Sequence, residues 1–207
     1  MLYIKKRSGF GKTRLVMSTF ALLLLAGGVY LAMLVAAPVV GPLTVMKPID
    51  VKALPKPVLD KNRVIIPKIG VNIAYDTGTV SLNRGAEWRY PDRGNPEKGG
   101  NFILAAHRFS IQPTPALTIE KSPFYNIDKL GVGDKIVVDY NGKRYGYAVQ
   151  EIKSVPPTAI EIENPSDTAK LTLYSCSLDG ADADRVVLIS KPLGLVALDD
   201  STDSHTQ

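Results

Sequence analysis

The chain has 207 residues, with 25 Lys and Arg against 20 Asp and Glu, two histidines and one cysteine. That Cys and His count rules out the usual structural zinc sets, which need four such ligands. All five excess positive charges lie in residues 1–14 (Lys5, Lys6, Arg7, Lys12, Arg14, no acid), so the remainder is balanced at 20 against 20. A balanced remainder offers no basic stripe to follow phosphates, and the sequence argues against a nucleic-acid partner.

Behind the basic flank, Leu15 to Ala37 supplies 23 residues without a charge. At ~1.5 Å per residue such a helix is roughly 34 Å long, enough for a ~30 Å hydrocarbon core. It exceeds the ~7–15 apolar residues of a cleaved signal peptide. Its best cleavage site, Val35-Ala36-Ala37, is followed by the unfavourable Pro38. The sequence therefore predicts an uncleaved anchor over 15–37, with 1–14 cytoplasmic and everything later outside. Gly11-Lys12-Thr13 imitates the end of a P-loop, but Lys6 stands where the motif needs its first glycine. Five prolines between 38 and 62 suit a semi-extended tether. Residues 63–194 are long enough for one domain with its own core. The polar stretch 195–207, with Asp199, Asp200 and Asp203, reads as a frayed tail.

Within the domain the apolar runs are short, β-rich and separated by turn residues. Arg63–Pro67 and Val71–Tyr75 form a first pair around Gly70, and Asn101–His107 is a third strand. Lys135–Tyr140 and Lys143–Lys153 flank Asn141-Gly142, the signature of a type I′ hairpin. Thr172–Cys176 and Arg185–Lys191 complete the set. Helices are expected only near Ser81–Glu87 and Pro123–Leu130, and Trp88 is expected to anchor packing. Many short strands with few helices predict an all-β barrel or sandwich.

Strand alternation sorts the residues that carry chemistry. Thr172, Tyr174 and Cys176 share one face, as do Ala105 with His107, and Arg185 with Val187 and Ile189. If the three faces line one groove, a thiol, an imidazole and a guanidinium meet at strand ends, with Ala105 and Tyr174 behind them shaping a pocket. That set suits acyl transfer through a thioester. A lone cysteine is ordinarily a small buried hydrophobe, but an unpaired thiol is uncommon in an exported domain. His205 falls in the tail, which leaves His107 as the ordered partner. Arg185 has an alternative as a surface ion-pair residue, and Ala105 and Tyr174 as plain barrel packing.

Thr172-Leu173-Tyr174-Ser175-Cys176 resembles the Thr-Leu-x-Thr-Cys signature of sortases, the membrane-anchored cysteine transpeptidases of bacterial cell walls. Gly99–Arg108 resembles the family's histidine strand, and Phe124 with Leu130–Ile136 the segment after it. Ile66–Val71 resembles the opening strand and Arg185-Val186-Val187 the arginine strand. Ser175 stands for the usual threonine, and Ala106 where many members have glycine. An N-terminal anchor, and the lack of an Asp-Pro-Trp or Asp-Pro-Phe lid motif, resemble the non-pilin branches.

The resemblance implies a closed eight-stranded β-barrel with one or two short helices and a groove holding Cys176, His107 and Arg185. It implies cleavage of a Leu-Pro-x-Thr-Gly-type sorting signal on surface proteins, with transfer to an amine on a cell-wall precursor or protein. No cofactor is expected. Glu161, Glu163 and Asp167 would be the place for calcium, as in some relatives, although a solvated loop is the expectation. Two alternatives stand beside this one. An L,D-transpeptidase also pairs cysteine with histidine, but its Ser-His-Gly-Cys signature is missing. A non-catalytic membrane-tethered binding module would carry the cysteine incidentally.

Overall fold

The computed structural model describes residues 9–44, 48–176 and 184–197. One long helix, α1 (Gly9–Thr44), precedes nine strands, eight of which close a barrel. These are β1 (Arg63–Ile66), β2 (Val71–Thr77), β3 (Gly85–Arg89), β4 (Gly94–Asn95), β5 (Gly99–Ala106), β6 (Lys135–Tyr140), β7 (Lys143–Val155), β8 (Lys170–Cys176) and β9 (Arg185–Leu195). Eight of them run in the order β3-β2-β1-β6-β7-β9-β8-β5, and a β3–β5 pairing closes the ring. The ninth, β4, is a two-residue strip on the margin of β5. Closure leaves no free sheet edge in the ring, which removes the usual route to edge-to-edge aggregation.

The two hairpins form where turn chemistry asks for them. Gly70 sits at φ 67 between β1 and β2, and Asn141 and Gly142 sit at φ 47 and 70 between β6 and β7. The second pair is the type I′ geometry expected for Asn-Gly. Along β5 and β8 the side chains alternate between the barrel interior and its outer surface. Phe102, Leu104, Leu171, Leu173 and Leu188 point inward with Val64, Ile66, Ile136 and Val138, all at most 1 % exposed. Trp88 of β3 caps this core, edge-on to Tyr75, Phe102 and Tyr140 at ring separations of 5.5–6.2 Å.

The expected helix at 81–87 is instead a 3-10 turn, Thr79–Asn83, followed by the start of β3. Its residues are needed as the strand joining β2 to β5, and ladder hydrogen bonds outweigh a weak local preference. The expected helix at 123–130 shrinks to one 3-10 turn, Ile127–Lys129. The barrel's α-helix is α2 (Pro115–Glu120), with Thr114 as its cap accepting from the Leu117 N–H and Pro115 in the first turn. Thr114-Pro115 is itself a helix-start signal, outside the two segments where helix is expected.

Residues expected as tether divide into two parts. Helix α1 continues through Pro38 to Thr44. Residues 48–62 lie along the barrel, held by the Ile49 N–H on the Pro67 carbonyl (3.1 Å) and by Arg144 on the Pro55 carbonyl (2.9 Å). Arg144 also forms a fork on Asp139 at 2.7 and 2.8 Å, and both side chains are buried. The expected tail begins too early: Leu195 closes β9 and the Val196 N–H donates to the Arg144 carbonyl at 2.9 Å. Residues 198–207, and the basic flank up to residue 8, lie outside the described residues.

Candidate active site

Strands β5, β8 and β9 lie side by side, and their register fixes the site. Cys176, the last residue of β8, is the cross-strand partner of Arg185, the first of β9. On the other side β8 runs parallel to β5, with Ala105 opposite Tyr174. The next outward positions on that face are His107, just past the end of β5, and Cys176. Neighbouring strands are ~4.8 Å apart, so the three backbone positions fall on one line across one rim of the barrel. Cys176 is exposed, while His107 and Arg185 are half-buried.

Next to this line, the outer face of the sheet carries an apolar cluster separate from the barrel core. Ile103, Ala105, Tyr174 and Val187 form an outer cluster with Ile162, and Val155 and Ile189 pack against it. Ile162 comes from the 156–169 connection, which folds back over the sheet. The Arg185 guanidinium lies 5.4 Å from the centre of the Tyr174 ring, a cation–π contact that steadies it beside the thiol. Ala105 and Tyr174 are each only 7 % exposed, packed within this outer cluster.

Backbone anchors flank His107. Its carbonyl accepts the Phe124 N–H at 3.1 Å, and Phe124 is fully buried. The next residue, Arg108, is buried and binds Asp128 at 3.0 Å. Thus residues 122–128, which overlap the helix expected at 123–130, work as a clasp on the histidine's strand end.

A polar network that the sequence does not announce holds the 156–169 connection against the sheet. Glu163 is buried and accepts from the Tyr174 hydroxyl and from Arg89 Nε at 3.1 Å. Arg93 donates to the Glu163 carbonyl at 2.6 Å. Asn101 spans the Ile162 and Asn164 carbonyls (3.1 and 2.7 Å), and its own amide oxygen receives the Thr172 hydroxyl at 2.6 Å. Burial, and then the Glu163 carboxylate, push the Tyr174 phenol above its ordinary range, against the opposing pull of Arg89 and Arg185. It stays a neutral donor across the physiological range.

Glu163 therefore departs from the expected solvated loop, because Arg89 and Tyr174 together compensate its burial. Glu161 and Asp167 remain exposed. Among the described residues no three His, Cys, Asp or Glu side chains gather as a metal-binding group. The inward turn of Glu163 has no local sequence signal. Arg89 ends a strand, Gly85–Arg89, that the sequence reading does not include, whereas Asn101 shows itself as the polar residue opening an otherwise apolar strand.

Residues 64–193 match the family model of the sortase domain. Sortase A of Listeria monocytogenes serovar 1/2a is 27% identical over 138 residues, which are 64% of this chain and 58% of that protein. The match thus spans less than two thirds of the curated relative's length. A solved Clostridium perfringens sortase D5 transpeptidase is 28% identical with a TM-score of 0.52, covering 65% of this chain and 79% of that one. The crystal structure of Listeria monocytogenes sortase A, at 24% identity and a TM-score of 0.55, covers 66% and 90% and supports the fold. The family model takes in all of β1–β9 except the first residue of β1 and the last two of β9, and it offers no support to an L,D-transpeptidase. The chain belongs to the sortase family.

Proposed function

We propose that this chain is a cysteine transpeptidase acting on sorting-signal peptides at the outer face of a cell membrane. The observation that carries the reading is the strand register, Cys176 opposite Arg185 with His107 at the matching position of β5. The Cys176 thiolate attacks the threonine carbonyl of a Leu-Pro-x-Thr-Gly-like segment, giving a tetrahedral oxyanion. Arg185 donates hydrogen bonds to that oxyanion, whose charge exists only in the transition state and intermediate. As the C–N bond breaks, His107 in its protonated form passes its proton to the departing amine. The acyl group waits as a thioester on Cys176. An amine on a cell-wall precursor or protein then attacks, His107 accepts its proton, and the thiolate leaves.

The apolar cluster around Ala105, Tyr174, Val187 and Ile162 suits the leucine and proline of such a signal. Residues 13–40 of α1 have the length and hydropathy to cross a membrane. With the basic flank held inside, the barrel stands outside. The reaction as written needs no metal or organic cofactor.

The test is cleavage of a quenched Leu-Pro-x-Thr-Gly peptide by the full chain, with and without an added amine. Cys176→Ala should abolish turnover and the acyl-enzyme mass while leaving the thermal midpoint in place. Wild-type turnover in that variant would remove Cys176 from the chemistry. A folded wild-type chain that cleaves no such peptide, and whose Cys176 resists thiol-directed peptide mimics, would be read as a tethered binding module. Products bearing the amine mark transpeptidation, and free acid alone marks hydrolysis.

A further inference from the structure

The segment joining β5 to the 3-10 turn at 127–129 has an unusual composition for an exported surface. From Phe109 to Ile119 it runs eleven residues without a charge. Ile111 is 57 % exposed and Leu117 38 % exposed, and Pro113 and Ala116 are exposed beside them. Two exposed aliphatics on an uncharged loop need an occupant, and α1 indicates which.

Helix α1 does not stand clear of the barrel. The Tyr30 hydroxyl donates to the Pro113 carbonyl, and Leu34 and Ala37 are buried. Pro38 lines one small crevice with Ile69, Ile119, Ser122 and Tyr125. The candidate span Thr13–Val40 has 28 residues, or ~42 Å of helix against ~30 Å of hydrocarbon. Arg14 sets the inner limit, because drawing it deeper would bury a charge in lipid. Counting ~20 residues outward from Leu15 puts the outer limit near Leu34. Tyr30 then lies about one turn, ~6 Å, inside that limit. A loop that touches Tyr30 cannot sit wholly above the bilayer.

We infer that Phe109–Ile119 is a membrane-docking element, with Ile111 and Leu117 seated in the outer lipid interface beside α1. Tyr30 serves at that depth as the amphipathic residue common at membrane boundaries, apolar in its ring and polar at its tip. Docking fixes the height and rotation of the barrel, because α2 and the loop attach directly to the clasp on His107. Ser122 receives the Ser110 N–H at 3.0 Å, and Phe109 stacks edge-on with Tyr125 at 5.9 Å. One rim of the barrel is thereby held facing the lipid surface. This inference rests on the membrane anchor and not on the transpeptidase chemistry.

The experiment uses the full chain in liposomes. Cys176→Ala removes the single thiol, and Leu117→Cys, Ile111→Cys or Leu59→Cys adds one for a polarity-sensitive fluorophore. Leu59 is the comparison site, 63 % exposed and beside Gly142 at the far hairpin turn. Labels at 111 and 117 should emit to the blue and be quenched severalfold more strongly than at 59 by lipids carrying a shallow nitroxide. Labels at 111 and 117 as wet as the one at 59, on chains that float with the vesicles, overturn the docking. Equal quenching at all three sites overturns it too, by showing unspecific adsorption. Chains that fail to float overturn the anchor and the docking together. Two label sites guard against one variant misfolding, which circular dichroism would reveal.

Discussion

The two faces of β5 and β8 differ in almost everything except their backbone. Inward, Phe102, Leu104, Leu171 and Leu173 sit at 1 % exposure or less in a continuous apolar core. Outward, Ile103, Ala105 and Tyr174 are also well covered, but by a returning connection held with buried polar bonds. Apolar contact is non-directional and tolerant, so the inner face secures the barrel without specifying where any polar group stands. Hydrogen bonds are directional, so the outer face specifies position at a cost in desolvation. The candidate site, Cys176, His107 and Arg185, lies on the rim where the outer face meets solvent.

The sharpest way to break this comparison is to hollow the inner face. Phe102→Ala removes a fully buried ring that meets Tyr75 and Trp88 at 5.5 Å. Large-to-small core changes of this kind cost about 3–5 kcal/mol. The chemical-denaturation midpoint should fall steeply, and turnover per folded molecule should change little. A variant that keeps its stability but loses turnover would mean that the core positions the site directly.

Much of this was legible beforehand, for reasons that particular residues make plain. Alternation along Thr172–Cys176 and Ala105–His107 sorted inner from outer positions correctly, because a strand allows only two faces. Asn141-Gly142 announced its turn, because few residues accept two successive positive φ angles. What escaped depends on distant partners. Residues 85–89 become a strand only because β2 and β5 flank them. Glu163 turns inward only because Arg89 comes from that unforeseen strand to meet it. Residues 48–62 lie on the barrel partly because Arg144, already paired with Asp139, has one more N–H to donate. Short-range pattern carries none of these.

A smaller effect tests the outer face. Glu163→Gln keeps the shape but removes the charge beneath Arg89 and the strong acceptor for Tyr174. A loss of about 1–3 kcal/mol is expected for a buried hydrogen bond to a charged group. The 156–169 connection should loosen, so KM for the peptide rises more than kcat falls. The variant also carries a pH signature. In wild type the Tyr174 phenol is raised in the folded state by burial and by Glu163, above its ordinary value near 10. Folding then contributes full stability below pH ~10 and loses it as pH climbs towards the folded pKa, because only the unfolded chain sheds the proton there. Glu163→Gln removes part of that elevation, so a tyrosinate titration of the folded variant should show one phenol ionising earlier. An unchanged titration would separate Glu163 from Tyr174.

The smallest predicted effect concerns the two departures from the family pattern, Ser175 for threonine and Ala106 for glycine. Both lie on the inner face, buried, just beneath the rim. Ala105 opposes Tyr174, so the next step of the same parallel ladder sets Ala106 beside Ser175. One departure removes a methyl and the other adds one in the neighbouring strand, so together they conserve volume. Among the described residues the Ser175 hydroxyl has no hydrogen-bond partner, which leaves packing as the quantity being balanced. Ser175→Thr alone should overpack and cost about 1–3 kcal/mol. Ala106→Gly alone should cost about 1 kcal/mol, from the void and the added chain entropy. The double variant should recover most of the loss, giving a coupling of at least about 0.5 kcal/mol in a thermodynamic cycle. Additive losses would mean that the two positions vary independently, and that the inner face beneath the site tolerates volume as loosely as the rest of the core.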